Sequence, residues 1–231
     1  TYFANEFVQP LCTGVQTMWF DIINLVMIVA IVYAGFSLVQ SKTSKAKVIS
    51  GVVIVAALGV LAYKYLNISP EGITLSAPIF QQFNPFYVVA LTPFSMALFG
   101  ALAKKGKEIS TPKKIAYGMG IAGLAFVFLA IYSYMQNYPS GEDFRNMSAA
   151  AKEGIKAGPW VLILTYFFLT VAELFISPLG LSFVSKVAPK NLLGLCQGLW
   201  LTATALGNLL LWIGPLMYNA WPIWQCWTVF L

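Results

Sequence analysis

Apolar residues come in long runs separated by short polar segments along almost the whole chain. Six runs, at about 17–39, 46–66, 79–103, 115–136, 159–187 and 192–217, can each cross a hydrocarbon layer as a helix, which needs about 20 apolar residues. A seventh begins at Trp221 and reaches Leu231 at about half that length. Residues 1–14 read as the end of a truncated helix and an outer loop, closed by Pro10 and Gly14, so both ends look cut. The first two runs, joined by SKTSKAK, read as a transmembrane hairpin over 15–66, with Trp19 and Tyr33 as interfacial anchors. Its low polar content assigns it to lipid-facing packing rather than to a site.

Three later runs carry polar residues at helical spacing, which places them on one face of each helix. In 79–103 these are Gln81, Asn84, Thr92 and Ser95, with Pro85 and Pro93 interrupting the backbone ladder. Asn84, beside Pro85, offers a ligand both donors and acceptors. In 192–217 the face holds Gln197, Trp200, Thr204 and Asn208. In 159–187 it holds Tyr166, Thr170, Glu173, Ser177 and Gly180. Glu173 sits near the middle of its run, where a charge costs several kcal/mol and therefore faces a polar cavity or a partner. Pro178 predicts a bend one turn beyond the acid. Gly118, Gly120 and Gly123 predict close helix approach in the fourth span.

Composition fixes the class. Hydrophobic residues make up 59% of the chain and charged residues 10%, against about 25% charged in soluble domains, so this is an integral membrane protein. With no histidine, imidazole ligands and relays within this chain are excluded, and Cys12, Cys196 and Cys226 have no metal-ligand spacing. Neither a metal nor a cofactor is predicted. The net charge of +6 reflects orientation rather than nucleic-acid binding: ten of the fourteen Lys and Arg residues lie in the loops at 41–47, 104–114 and 186–190. Those loops face the cytoplasm, and the start of the first span and the alternate loops face outward. None of the basic residues lies near the membrane centre. Glu173 is therefore protonated, paired with a segment outside this chain, or the docking point of a cationic ligand, and the ligand is favoured. One buried carboxylate without nucleophile, metal cluster or second acid does not make an enzyme.

The run AELFISPLGLSFVSKVAPK, with FNPFYVVALTPF upstream and GLCQGLWLTATALGN downstream, resembles the carboxy-terminal half of the proton-dependent oligopeptide transporter family of the major facilitator superfamily. The resemblance covers roughly 79–231, which would be the eighth helix to the start of the twelfth. It implies an all-α polytopic bundle, half of a major facilitator fold, to which the 15–66 hairpin is an addition. It also implies proton-coupled symport of di- and tripeptides across the inner membrane by alternating access, with the amino-terminal half supplying the other wall. By the same resemblance Glu173 would receive the peptide's amino terminus, Asn84 would contact the peptide, and Ser177 and Trp200 would line the pocket. Gln81, Tyr166, Thr170, Gln197 and Asn208 are further lining candidates, and Pro93 and Pro178 candidate hinges. The alternatives are a facilitator for another small solute, such as a sugar or organic cation, and a structural or channel subunit.

Overall fold

A computed structural model describes residues 2–106 and 109–231; the side chains of residues 177–182 lie outside the described set. Among the described residues, five helical stretches are long and apolar enough to cross a membrane: Ile22–Gln40, Ser44–Leu66, Ala77–Lys104, Thr111–Met135 and Leu193–Ala220. Trp160–Ile176 is the apolar part of another helix. The protein is thus a polytopic all-α membrane bundle. Where water is absent, a helix meets every backbone donor and acceptor within one segment, and this requirement overrides the modest helix propensity of the many Ile and Val residues. The chain forms two compact units, Thr1–Ala101 with Gly158–Ile163, and Leu102–Ala157 with Leu164–Leu231.

In the first unit, α1 (Tyr2–Phe7) packs against a 3-10 turn at Ala77–Gln82. Between them a two-residue strand β1 (Leu11–Cys12) pairs antiparallel with β2 (Ile73–Thr74), with Leu11 opposite Thr74 and Cys12 opposite Ile73. Gly72 enters this clasp at φ +76°, and a Cβ there would lie 2.5 Å from the Cys12 carbonyl oxygen, so the position requires glycine. A second 3-10 turn, Gly14–Phe20, delivers Phe20 edge-on to Phe80 and Phe83, ring centroids 5.4 and 5.5 Å away, all three buried.

The hairpin follows as α2 (Ile22–Gln40) and α3 (Ser44–Leu66), packed side by side. At its tight turn Ser50 donates to Ser37 across the helix pair, 2.9 Å. At its open mouth Asp21 caps α2 through the Ile23 amide, 2.8 Å, and pairs with Lys64 near the end of α3. Burial opposes the charge on Asp21. The hydrogen bonds from Lys64 and Ile23 together with the Lys64 charge outweigh it and hold the carboxyl below its ordinary value. The next helix, α4 (Phe83–Lys104), continues from the 3-10 turn at Ala77–Gln82.

The second unit begins with α5 (Thr111–Met135), opened by Pro112 in the first turn, where its missing amide has no intrahelical role. Two short helices, α6 (Gly141–Asn146) and α7 (Ala149–Gly154), are capped by Ser140 and Ser148. Then come α8 (Trp160–Val187), which belongs to this unit from Leu164 onward, α9 (Leu193–Leu210), α10 (Ile213–Ala220) and α11 (Ile223–Val229). The single span expected over 192–217 is divided. Pro215 has no amide for the Leu211 carbonyl, which accepts instead from Gly214, 3.1 Å, and the chain turns there. The segment α10 lies on α6, with Tyr218 against Gly141 and Arg145 donating to Asn219, 2.7 Å. The last helix, α11, packs along α5 through Trp227 on Phe126 and Trp224 edge-on to Tyr134.

Candidate functional site

The long helix α8 is held on one side by a glycine. A Cβ at Gly118 of α5 would lie 2.6 Å from the Ile176 side chain and 3.0 Å from the Ala172 carbonyl, so this helix contact exists because position 118 has no side chain. Gly120 and Gly123 face open space, so of the three glycines predicted to permit close approach, one does so here. Ala172 is buried at this contact. Glu173, about 100° further round the helix, is exposed. The polar face predicted around the acid is not uniform in its surroundings. Tyr166 is half-buried, while Thr170 is fully buried with no hydrogen-bond partner for its hydroxyl among the described residues. The side chains of Ser177, Pro178 and Gly180 lie outside the described residues, and with them the predicted bend.

On α9 no residue is buried. Gln197 donates to Ser185 of α8, 2.9 Å, and Trp200 lines an apolar groove of about 540 Å3 with Phe183, Val187 and Leu199. No carboxylate is among the described residues lining it, so this groove gathers Trp200 but not Glu173. Asn208 is exposed, and Thr202 turns its hydroxyl to its own helix at the Gly198 carbonyl, 2.8 Å. An exposed helical hydroxyl can satisfy itself by bonding back one turn in this way.

The remaining predicted residues belong to the first unit. Gln81 is exposed in the 3-10 turn, and Asn84 is half-buried in the first turn of α4. Pro85 does not interrupt an α-helical ladder as expected. It stands at the third residue of α4, where 3-10 gives way to α and its amide would have no α-helical partner inside the helix. Pro93 does lie inside α4 and frees the Val89 carbonyl, which accepts a hydrogen bond from the Tyr33 hydroxyl of α2, 3.2 Å. Thr92 bonds back to Val88, and Phe36 meets Phe94 edge-on at 4.9 Å. Tyr33, read from sequence as an interfacial anchor, thus serves the backbone of another helix. The signal was Pro93 itself, which requires a donor for the carbonyl four residues before it.

A family model described as the POT family matches residues 56–220 of this chain. The dipeptide and tripeptide permease B of Xenorhabdus bovienii is 32% identical over 139 residues, 60% of this chain and 25% of that protein. The permease of the same name from Salmonella typhimurium gives the same figures, and that from Shigella dysenteriae is 33% identical over 128 residues, 55% of this chain and 23% of that protein. The chain spans about a quarter of the length of the curated relatives it matches. No solved structure matches it significantly.

Proposed function

Because the chain belongs to the POT family, we propose that it takes part in proton-coupled symport of di- and tripeptides across the inner membrane, supplying one wall of the substrate cavity. An amino-terminal half outside this chain supplies the opposite wall. The relatives' name, dipeptide and tripeptide permease, supports the substrate class. The observation that carries the reading is Glu173: an acid midway along a 28-residue apolar helix, exposed beside a residue that is packed. An acid at that depth is tolerated when it faces a polar hollow, and the missing wall would create one.

Glu173 receives the peptide's ammonium, while Asn84, Ser177 and Trp200 line the cavity with Gln81, Tyr166, Thr170, Gln197 and Asn208. A nearby cation favours the ionised carboxylate, so ammonium and proton exclude one another at the same oxygens. Exclusion at one site alone would give exchange, so the proton that travels with the peptide is carried on another group. Alternating access rocks the two halves about the site, with Pro93 and Pro178 as the points where the backbone ladder yields. The test is Glu173→Gln in the complete transporter reconstituted in proteoliposomes. Proton-driven dipeptide uptake falls roughly 30-fold or more, the effect of removing one member of a desolvated charge pair. Unchanged uptake would take the acid out of the mechanism.

A further inference from the structure

The open mouth of the hairpin holds a built cavity of about 370 Å3, within the range of roughly 300–1,000 Å3 typical of small-molecule pockets. It is bounded by the 3-10 turn before α2, the first turn of α2, the last turn of α3 and the loop leading to β2. Asn24 lines it and is 2% exposed. Its amide donates to the Met18 carbonyl, 3.1 Å, but its Oδ1 has no partner among the described residues. A buried amide oxygen left unsatisfied costs about 1–3 kcal/mol, which a donor entering the cavity recovers. Asp21 and Lys64 also line the cavity, their side chains still 31% and 34% exposed despite their pairing. Each carboxylate oxygen of Asp21 retains acceptor capacity, and Lys64 retains donors beyond the one on Asp21.

These groups define their ligand. Asn24 and Asp21 call for N–H donors, and Lys64 calls for an anionic oxygen. Phosphate alone would meet the Asp21 charge, and an amine alone would meet that of Lys64. A primary ammonium beside a phosphate satisfies both. The cavity also lies at headgroup level, since Asp21 directly precedes one apolar helix and Lys64 stands two residues before the end of the other. Ile22 and Leu66, 65% and 80% exposed, flank it with apolar surface suited to acyl chains. The loop charges put this mouth on the outer side.

We propose that the hairpin mouth binds a phosphoethanolamine group, its ammonium on Asn24 Oδ1 and the Asp21 carboxylate and its phosphate on Lys64. The group reaches the site either on a phosphatidylethanolamine of the outer leaflet or as soluble glycerophosphoethanolamine. The site lies within the first unit and does not depend on which solute the protein carries. The test places the chain in mixed micelles with equal phosphatidylethanolamine and phosphatidylcholine, whose trimethylated nitrogen has no N–H donor, and weighs the retained lipid by native mass spectrometry. Phosphatidylethanolamine is retained about fivefold over phosphatidylcholine, the ratio that one hydrogen bond sustains. Asn24→Leu abolishes the preference, Lys64→Met lowers the retention of both lipids because both carry the phosphate, and Asn24→Asp, which keeps the acceptor, preserves the preference should the leucine variant fail to insert. Displacement by glycerophosphoethanolamine assigns the site to the soluble compound, and its failure with the preference intact assigns it to the lipid. Equal retention of the two lipids, or total lipid retention untouched by Lys64→Met, overturns the proposal.

Discussion

Pro93 and Pro215 each lie well inside a helical stretch long enough to cross the membrane, and the chain responds to them in opposite ways. At Pro93, α4 runs unbroken from Phe83 to Lys104, because the Val89 carbonyl that the ring frees is taken by the Tyr33 hydroxyl of another helix. At Pro215 the freed Leu211 carbonyl is taken by Gly214, three residues on, and the helix stops at Leu210 before α10 begins at Ile213. The difference lies in the donor. A partner from outside leaves the helix its geometry, whereas one from three residues along draws the backbone into a tighter turn. Proline removes the same bond in both places, and the neighbourhood decides between continuation and break.

Pro215→Ala breaks the contrast most strongly. With an amide restored for Leu211, and a helix-interior proline penalty of about 3 kcal/mol removed, α9 and α10 fuse and amide exchange across residues 211–215 slows by about a hundredfold. Unaltered exchange there would mean that the turn is set by the packing of α10 on α6. Next comes Tyr33→Phe, which strands the Val89 carbonyl and lowers unfolding stability in detergent by about 1–3 kcal/mol. In a Pro93→Ala background the new amide takes that carbonyl and the loss shrinks. Equal losses in the two backgrounds would show that the tyrosine hydroxyl does not serve the proline.

The smallest effect comes from the far end of the helix that presents Tyr33. The Asp21 carboxyl is depressed when folded, so its pairing stabilises the protein above the ordinary value of 3.8 and is lost as pH falls below it through the lower folded value. For a partly exposed pair this amounts to about 0.2–1 kcal/mol, read as an acid-side fall in the unfolding midpoint that Lys64→Met abolishes. A wild-type acid profile identical to that of the variant would dismiss the pair as a lock.

Spans bounded by charged loops were legible because the bilayer imposes a minimum apolar length, and each predicted boundary falls within about five residues of a helix end, apart from the divided 192–217 run. That division was foreseeable from Gly214 and Pro215, but apolarity alone carried the reading across them. The clasp of β1 and β2 was not legible, since two-residue strands leave no alternating pattern. In the candidate site, Glu173 announced itself by charge. The polar stripe around it was drawn from angular spacing, which cannot say which neighbour covers Thr170 and leaves Glu173 open. The hairpin was read as having no site because its centre lacks charge, yet Asn24, a lone amide in an otherwise apolar first turn, marked the cavity wall.

The clasp bears on how such a chain is assembled. Residues 12 and 73 are hydrogen-bonded partners, so the stretch between them leaves and returns to neighbouring backbone, about 5 Å apart. A two-helix cassette of this kind can be gained or lost by splicing across the clasp, because an even number of crossings leaves the direction of every later helix unchanged. Phe80 and Phe83, which Phe20 now covers, are the surfaces that a shortened chain would have to cover again.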